Sequence, residues 1–393
     1  MRKKMTVFLA VIMILDVIAL GIIFFTRDIP SLDISSNAVP GEDPVTTERQ
    51  ELFSRVSFIA VGDNLIHKPI YNQAAARTSG GYDFSYAYEN FADRIEKADV
   101  AILNQETIIS TEHNVSTYPM FNSPVEVGEE MLEIGFDVFN IATNHSIDCG
   151  EKGLISAINF WKDRQAITCG AYLDFDDYGN IPMHEVNGVK IAYVGFTEST
   201  NGLSLPDDSE VILVQAKDEI LLQDRIMKAN EVADVVVVSA HWGNEYTHEP
   251  TQTQRDLAQK LASWGADVII GTHPHVIQPM EYITNQDGSR TLVAYSLGNF
   301  ISAQNRGPRM LGGVINFEIV VNNTNGEVNF ENVKFSGVVT HYGQSYSNLR
   351  IYPLEDYTQE LASKHGVLSQ TSDFSLQYLY DIVNNVIDKQ FLK

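Results

Sequence analysis

The stretch SFIAVGDNLIH at residues 57–67 shows the pattern on which the fold of this 393-residue chain depends. It is an apolar run, rich in residues that favour strands, and it ends in the polar residues Asp63, Asn64 and His67. Four later runs have the same form, namely DVAILN (99–104), DVFNIA (137–142), VVVVSA (235–240) and DVIIG (267–271). Short apolar runs of this kind predict strands that are buried on both faces of a parallel sheet.

Candidate helices lie between these runs and indicate the fold class. Their amphipathic segments span 86–97, 126–134, 152–164, 217–229 and 252–264. Strands that alternate with helices in this way predict an α/β domain with largely parallel sheets. The segment 184–196 is an exception, because Asn187 and Gly188 predict the turn of an inserted hairpin.

The chain after Gly271 changes character, since strand-like runs follow one another there without intervening helices. This pattern predicts mostly antiparallel pairing. Residues 373–393 are predicted to form a terminal helix on the surface. We therefore expect one main domain at 55–345 and a C-terminal extension at 346–393.

The N-terminus contains an apolar run at residues 5–25 that is long enough to cross the ~30 Å hydrocarbon core of a bilayer. Basic residues at 2–4 precede it, so the positive-inside rule predicts a cytoplasmic N-terminus and an extracellular remainder. A cleaved signal peptide is the alternative. The prediction is a membrane anchor at 1–27 and a flexible stalk at 28–54, rich in Ser, Pro and acidic residues.

The composition excludes one class of partner. The chain has 27 Lys and Arg against 51 Asp and Glu, which gives a formal net charge of −24. Nucleic acid binding depends largely on Lys and Arg, so a general nucleic acid binder is excluded. The two cysteines, Cys149 and Cys169, are too few for a disulfide scaffold. Outside the cell they could form one disulfide or remain two free thiols.

Polar side chains follow each of the five apolar runs, where parallel strands are expected to end. Taken singly, such an Asp is often a helix N-cap and such a His is often structural. Together they converge on the carboxyl edge of the sheets, where ligands bind in α/β folds. Without a cysteine among them, they predict a catalytic metal site of nitrogen and oxygen donors rather than a structural zinc site. Their number suits two ions bridged by a carboxylate.

Six motifs in chain order resemble the capsule-synthesis protein A family, which is involved in poly-γ-glutamate capsule production. They are GDNLIH (62–67), NQE (104–106), TNHSIDCG (143–150), HWGNEY (241–246), GTHPHV (271–276) and SLGNF (296–300). That family is similar in turn to the calcineurin-like metallophosphoesterases. The resemblance implies a four-layer αββα sandwich with two divalent ions, such as manganese, zinc or iron, between the sheet ends.

The resemblance also implies a set of ligands. Glu106 takes the place of the bridging carboxylate. Leu65 stands where the phosphoesterases have a His, and His67, two residues later, is the expected replacement. The full set of implied metal ligands is Asp63, His67, Glu106, Asn144, His241, His273 and His275.

A second group of residues is assigned to chemistry and substrate. His145 matches the His that protonates the leaving group in the phosphoesterases, a role that suits an imidazole because this group titrates near neutrality. Asp148 either orients His145 or caps the helix predicted at 152–164. The residues expected to contact the substrate are Asn104, Glu245 and Asn299.

Three functions are consistent with the sequence. The first is an accessory subunit of the membrane machinery that makes and exports poly-γ-glutamate, with the export subunits and the polymer as partners. The second is an extracellular metal-dependent hydrolase of phosphoesters or γ-glutamyl amides, and the third is a scaffold ectodomain without metal. A polyanionic polymer would be repelled by a protein of charge −24 unless a bound cation or a local basic groove intervenes.

Overall fold

The computed structural model describes residues 52–392. The predicted membrane span and almost all of the predicted stalk lie outside this range. Across residues 52–392, no helix is both long and apolar enough to cross a bilayer. The first strand begins at Phe53, within the last two residues assigned to the stalk.

Sixteen strands form within residues 52–392, and the five predicted apolar runs are all among them. They are β1 (Phe53–Asn64), β2 (Val100–Asn104), β3 (Val138–Asn140), β4 (Ile167–Cys169), β5 (Ala171–Tyr172), β6 (Met183–Val186), β7 (Val189–Thr197), β8 (Ile212–Leu213), β9 (Val235–His241), β10 (Val268–Thr272), β11 (Met280–Thr284), β12 (Arg290–Ala294), β13 (Asn299–Ile301), β14 (Leu311–Asn322), β15 (Val328–His341) and β16 (Arg350–Pro353).

Two large sheets organise these strands. The first has eight strands in the order β16-β15-β14-β1-β2-β3-β4, with β13 paired to β1 off this path. The second has six strands in the order β11-β12-β10-β9-β7-β6, and β5 pairs with β8 separately. The centre of each sheet is parallel, whereas β14, β15, β16, β6 and β11 pair antiparallel.

The strands after Gly271 are mostly antiparallel, as predicted, but β12 and β13 join their sheets in parallel. The predicted hairpin is confirmed by β6 and β7, and its turn residues Asn187 and Gly188 have φ values of 52° and 77°. Residues 346–393 contribute β16 to the edge of the first sheet, so part of the predicted extension is integral to the fold.

Ten α-helices form within residues 52–392, and four of the five helices predicted between the apolar runs are among them. They are α1 (Lys68–Ala76), α2 (Ser85–Tyr88), α3 (Ala92–Ile95), α4 (Val125–Glu133), α5 (Gly150–Asp163), α6 (Phe175–Gly179), α7 (Glu219–Val232), α8 (Gln252–Ser263), α9 (Gln359–Ser363) and α10 (Leu376–Val386). The single helix predicted at 86–97 is wrong, because the chain breaks there into α2 and α3. At this break Asn90 donates to the carbonyl of Ile351, and Phe91 is buried against Phe300.

The second sheet has one face toward the first sheet and one toward helices. In β7, Ile191 and Tyr193 belong to the core that contains the first sheet. Their neighbours Ala192 and Val194 belong to a second core that includes side chains of α7 and α8. This alternation is the consequence of the two-residue period of a strand that is covered on both faces.

The first sheet is covered in the same way. Phe139 of β3 stacks on Trp161 of α5 with ring centroids 4.2 Å apart. The next residue, Asn140, faces the second sheet at Gly195, where a Cβ would lie 2.4 Å from Asn140 Oδ1. Gly195 therefore permits the close approach of the two sheets. The layer order is helices, sheet, sheet and helices, which corresponds to the predicted αββα arrangement.

Two further sequence expectations are settled within this range. Cys149 and Cys169 are free thiols, so of the two alternatives the structure contains the one without a disulfide. The terminal helix predicted at 373–393 is α10, which is shorter than expected. It buries Leu379 and Val383 rather than lying wholly on the surface.

A buried histidine pair near the C-terminus makes the fold sensitive to acid. His365 accepts from the Val367 N–H through Nδ1 at 2.9 Å, and its Nε2 lies 2.9 Å from the carbonyl of Thr340. His341 contacts the Tyr357 hydroxyl at 2.8 Å, and the two imidazoles are 5.0 Å apart. Burial lowers the pKa of each to about 4. Protonation at Nδ1 would also remove the acceptor that His365 offers to Val367.

We expect the free energy of unfolding to fall between pH 7 and pH 5. The unfolded chain takes up a proton on each histidine below its ordinary pKa of ~6.5, whereas the folded chain does so only near 4. The contribution of the two histidines to the free energy of unfolding is therefore fully present above pH 7. It falls on acidification, by roughly 2 kcal/mol per histidine at pH 5. Urea titrations should show a shallower pH dependence for His365→Asn, which keeps an acceptor but does not titrate. His248→Gln, outside this pair, serves as the control, and an unchanged slope in His365→Asn would contradict the assignment.

Candidate metal centre

A row of buried polar side chains crosses the carboxyl ends of the parallel strands of the first sheet. Asp63 of β1 is in register with Asn299 of β13 on one side and with Asn104 of β2 on the other. Asn104 is in turn in register with Asn140 of β3. All four are at most 3% exposed. The register of the sheet therefore places residues from distant parts of the chain side by side.

Hydrogen bonds connect this row to the second sheet. Asn140 donates to Asn104 Oδ1 at 2.7 Å, and the Asn104 amide nitrogen donates to Asp63 Oδ1 at 2.8 Å. The same amide nitrogen lies 3.3 Å from His241 Nδ1, at the end of β9. Asn104 and Asn299 are two of the residues expected to contact the substrate, and this stays a prediction. In the structure both bond to protein groups, so they also position the neighbouring side chains of the site.

Asp63, Glu106 and His275 form a compact cluster. Within residues 52–392 they are the group of His, Cys and carboxylate side chains whose ligand atoms all lie within 4.8 Å of one another. His275 Nδ1 is 3.2 Å from Asp63 Oδ2, and His275 Nε2 is 3.7 Å from Glu106 Oε1. His275 Nδ1 also lies 3.0 Å from Asn299 Oδ1. Since both of its neighbours are acceptors, Nδ1 carries the hydrogen and Nε2 is the nitrogen available to a cation.

Glu106 shows that this cluster fits a cation. It is fully buried, and neither of its carboxylate oxygens has a hydrogen-bond partner in the described chain. A buried carboxylate without a partner is strongly unfavourable, and in proteins such groups are normally paired or bind a metal. The donor set of two carboxylates and one imidazole is typical of zinc, manganese or iron.

The pKa values of the cluster residues also favour a bound cation. Burial raises the pKa of Glu106 well above its usual range, although the nearby His275 opposes this shift. Burial alone would lower the pKa of His275, but Glu106 and Asp63 outweigh it and raise that pKa to about 9. A cation that bound here would displace the protons that these groups hold.

A second group of predicted ligands lies next to the cluster and lines a cavity of about 380 Å³. His241 Nε2 is 2.9 Å from Asn144 Oδ1, and the rings of His241 and His273 are 4.8 Å apart. Burial lowers the pKa of His241 well below its usual range and that of His273 to about 4. Both imidazoles are therefore neutral at pH 7, as metal ligands must be.

The turn that carries His273 and His275 has a strained backbone. Their φ values are 95° and 60°, in the left-handed region that residues other than glycine rarely adopt. The turn is held by the Tyr246 N–H, which donates to the Pro274 carbonyl at 2.7 Å. Strain of this kind is concentrated at functional sites, where the surrounding structure maintains it.

His145 is held by an acid at the edge of the site. Its Nδ1 lies 2.7 Å from Asp148 Oδ2, and this carboxylate oxygen also accepts from the Phe121 N–H at 2.7 Å. Asp148 does not cap α5, whose N-cap is Cys149 and has no side-chain cap. Of the two roles considered for Asp148, the structure therefore contains the one that orients His145. Thr143 links His145 to the cluster, because its hydroxyl accepts from the His145 N–H and donates to the Glu106 carbonyl.

His67 does not belong to the three-residue cluster. Its Nδ1 is close to the backbone, 3.2 Å from the Leu65 carbonyl and 3.3 Å from the Ala303 N–H. Its ring meets the ring of Phe121, which also contacts His145. Only Nε2 is left for a cation, so the assignment of His67 as a ligand stays a prediction.

Sequence reasoning missed several polar residues of the site. Glu198 and Ser199 line the cavity together with Gly243, Asn244 and Glu245. Glu198 follows β7 directly, so the strand-end rule would have found it. It was missed because that strand was read only as half of a hairpin. Asn140 was missed because it lies within an otherwise apolar run.

The motifs of this site lie within a recognised family. A family model described as "Bacterial capsule synthesis protein PGA_cap" matches residues 57–304, which is more than half of the chain. The chain belongs to this family. The predicted resemblance to capsule-synthesis proteins is thereby confirmed, and the matched PGA_cap region contains every predicted ligand.

Two curated relatives of this PGA_cap protein come from Bacillus. The capsule biosynthesis protein CapA of Bacillus anthracis is 36% identical over 183 residues, which cover 46% of this chain and 43% of the relative. The PGA biosynthesis protein CapA of Bacillus subtilis (strain 168) is 38% identical over 176 residues, which cover 44% of each. The chain thus spans less than half of the length of these relatives.

Solved structures show a more distant likeness. The calcineurin-like phosphoesterase YfkN from Bacillus subtilis is 15% identical with a TM-score of 0.43, covering 84% of this chain and 99% of that one. A phosphatase from Mycoplasma pneumoniae is 17% identical with a TM-score of 0.45, covering 73% and 94%. Likeness at this level says nothing about the chemistry of the PGA_cap site.

Proposed function

We propose that this protein acts in the synthesis or export of a poly-γ-glutamate capsule, through a divalent-cation site built around Asp63, Glu106 and His275. The observation that carries the proposal is the fully buried Glu106 carboxylate, which has no hydrogen-bond partner among residues 52–392 and lies 3.7 Å from His275. Membership of the capsule synthesis family supports the biological setting.

The proposal places the described domain outside the cell. The apolar run at residues 5–25 would anchor it in the membrane, and residues 2–4 would keep the N-terminus in the cytoplasm. Its partners would be the membrane subunits that make and export the polymer, and the polymer itself. A scaffold without metal is less well supported, because the predicted ligands converge instead of being dispersed through the fold.

Each residue of the cluster would contribute a ligand group to a bound cation. Glu106 and Asp63 supply negative oxygens, and His275 supplies Nε2, while Asn299 fixes the other side of that imidazole. A second ion, if the site takes two, would be held by His241, His273 and Asn144. A divalent cation supplies Lewis acidity and would offset part of the negative charge that a polyanion meets at this protein.

The capsule itself provides the test. In a capsule-producing host that lacks its own copy, the wild-type gene should restore poly-γ-glutamate, whereas His275→Gln should restore roughly tenfold less or lower. The matched control is His113→Gln, since His113 is exposed and contacts Ser110 rather than the cluster. Normal capsule in the deletion strain, or full rescue by His275→Gln at equal protein level, would count against the proposal.

Hydrolysis is a second candidate, which the His145 and Asp148 pair favours. Asp148 fixes the tautomer and direction of His145, so that its Nε2 can deliver a proton to a leaving group. The bonds that such a site could cleave are phosphoesters and γ-glutamyl amides. Glu245, a residue expected to contact the substrate, lines the cavity with its side chain 41% exposed, and its Oε1 lies 3.9 Å from His275 Nε2.

A further inference from the structure

Tyr246 stacks with two side chains, and one of them, His275, belongs to the cluster of Asp63, Glu106 and His275. The ring of Tyr246 lies 5.9 Å from that of His275, at an interplanar angle of 29°. The guanidinium of Arg309 also stacks on Tyr246, with Cζ 3.3 Å from the ring centroid. Tyr246 therefore contacts both a residue of the cluster and a positively charged group.

The position of Arg309 is determined by the same residue that holds His275. The Asn299 amide donates to the Arg309 carbonyl at 3.1 Å, while its oxygen lies 3.0 Å from His275 Nδ1. Arg309 lies in a short 3₁₀ turn, Gly307–Met310, whose first residue donates to Thr371. The guanidinium is thus attached to the site through its backbone and through its stacking partner.

The hydrogen-bonding edge of Arg309 has no partner in the part of the chain that the structure describes. Its guanidinium makes no ion pair or hydrogen bond there, and Glu245 acts on it only from beyond ion-pair distance. Stacking uses the flat face of a guanidinium and leaves its five N–H groups in the plane free. That plane matches the geometry of a carboxylate, which can accept two parallel hydrogen bonds.

We propose that Arg309, stacked on Tyr246, binds a side-chain carboxylate of the acidic polymer and so positions the chain beside the metal cluster. This inference rests on the proposed function for the identity of the polymer. Binding by Arg309 would offset part of the repulsion between a polyanion and a protein of net charge −24, because this guanidinium has no partner among residues 52–392 and lies next to the site. Arg306, exposed at the start of the same turn, adds a second positive charge nearby.

The test measures binding of a fluorescently labelled γ-linked oligoglutamate to the full-length protein in detergent, at constant ionic strength with Mn²⁺. We expect Arg309→Ala to weaken binding about tenfold or more, in keeping with the loss of a charge-assisted bidentate contact. Arg309→Lys should recover only part of the affinity, because Lys keeps the charge but not the planar fork. The matched control is Arg290→Ala, since Arg290 also stacks on a tyrosine, 4.6 Å from the Tyr282 centroid, but at the beginning of β12.

Two further measurements separate the possible outcomes. An oligomer whose carboxylates are converted to amides should bind Arg309→Ala and the wild type with the same affinity. An equal loss of affinity for both oligomers in Arg309→Ala would show a packing role and overturn the inference. Unchanged affinity in Arg309→Ala, or no binding by the wild type, would also overturn it. Bound metal is measured in every sample by mass spectrometry. A wild-type protein without metal would defeat the proposed function, while an Arg309-dependent affinity would still support carboxylate binding.

Discussion

Glu106→Gln is expected to remove the divalent cation from the purified protein. Glutamine has nearly the same shape as glutamate, but its amide lacks the negative charge that makes the buried carboxylate a ligand. Changes in residues that merely support ligands lower metal affinity 10- to 100-fold, so losing the ligand itself should cost at least roughly 100-fold. Metal content by mass spectrometry and Mn²⁺ titration would measure this loss.

Folding must be checked separately for this variant. With a chelator present, Glu106→Gln should be at least as stable to urea as the wild type. The reason is that a neutral amide replaces a carboxylate for which the described part of the chain supplies no hydrogen-bond partner. Glu331→Gln is the matched control, since Glu331 forms an exposed ion pair with Arg55 far along the sheet. Full metal content in Glu106→Gln would show that the cluster is not the site.

His145→Ala is expected to have the second large effect, and its size should depend on the leaving group. If His145 protonates the departing group, esters with poor leaving groups, such as alkyl phosphates, should lose about 10²- to 10⁴-fold in kcat. Nitrophenyl esters need little protonation and should lose much less. The comparison of bis-nitrophenyl phosphate with an alkyl phosphodiester therefore distinguishes proton transfer from structural damage.

Asp148→Asn should reproduce the same selectivity to a smaller degree, because Asp148 acts by positioning His145 across 2.7 Å. His113→Ala, a histidine outside the site, should leave both substrates unaffected. An equal loss on both substrates in His145→Ala would contradict the proposed proton transfer. In that case metal content alone would test whether the metal centre binds a cation.

Much of the fold could be predicted because local patterns and tertiary structure agree along most of the chain. The run at 58–62 is apolar throughout, and this part of β1 is buried on both faces. The pattern was misleading at 86–97, where helical spacing of apolar residues suggested one helix. Contacts of Asn90 and Phe91 with residues more than 200 positions away break that segment into two turns.

The family, the alternation of strands and helices, and the polar residues at the strand ends can all be predicted from the amino-acid order, because they depend on motifs and on periodicity within single segments. Which of those polar residues meet depends on the packing of the sheets. Asp63, Glu106 and His275 form one cluster because the register of β1 and β2 and the turn after β10 bring them within 4.8 Å. Tyr246 ends the motif HWGNEY, but no local pattern of the sequence pairs it with Arg309. Their stack exists because two distant loops pack against each other, and long-range packing of this kind is not encoded in any single stretch of sequence.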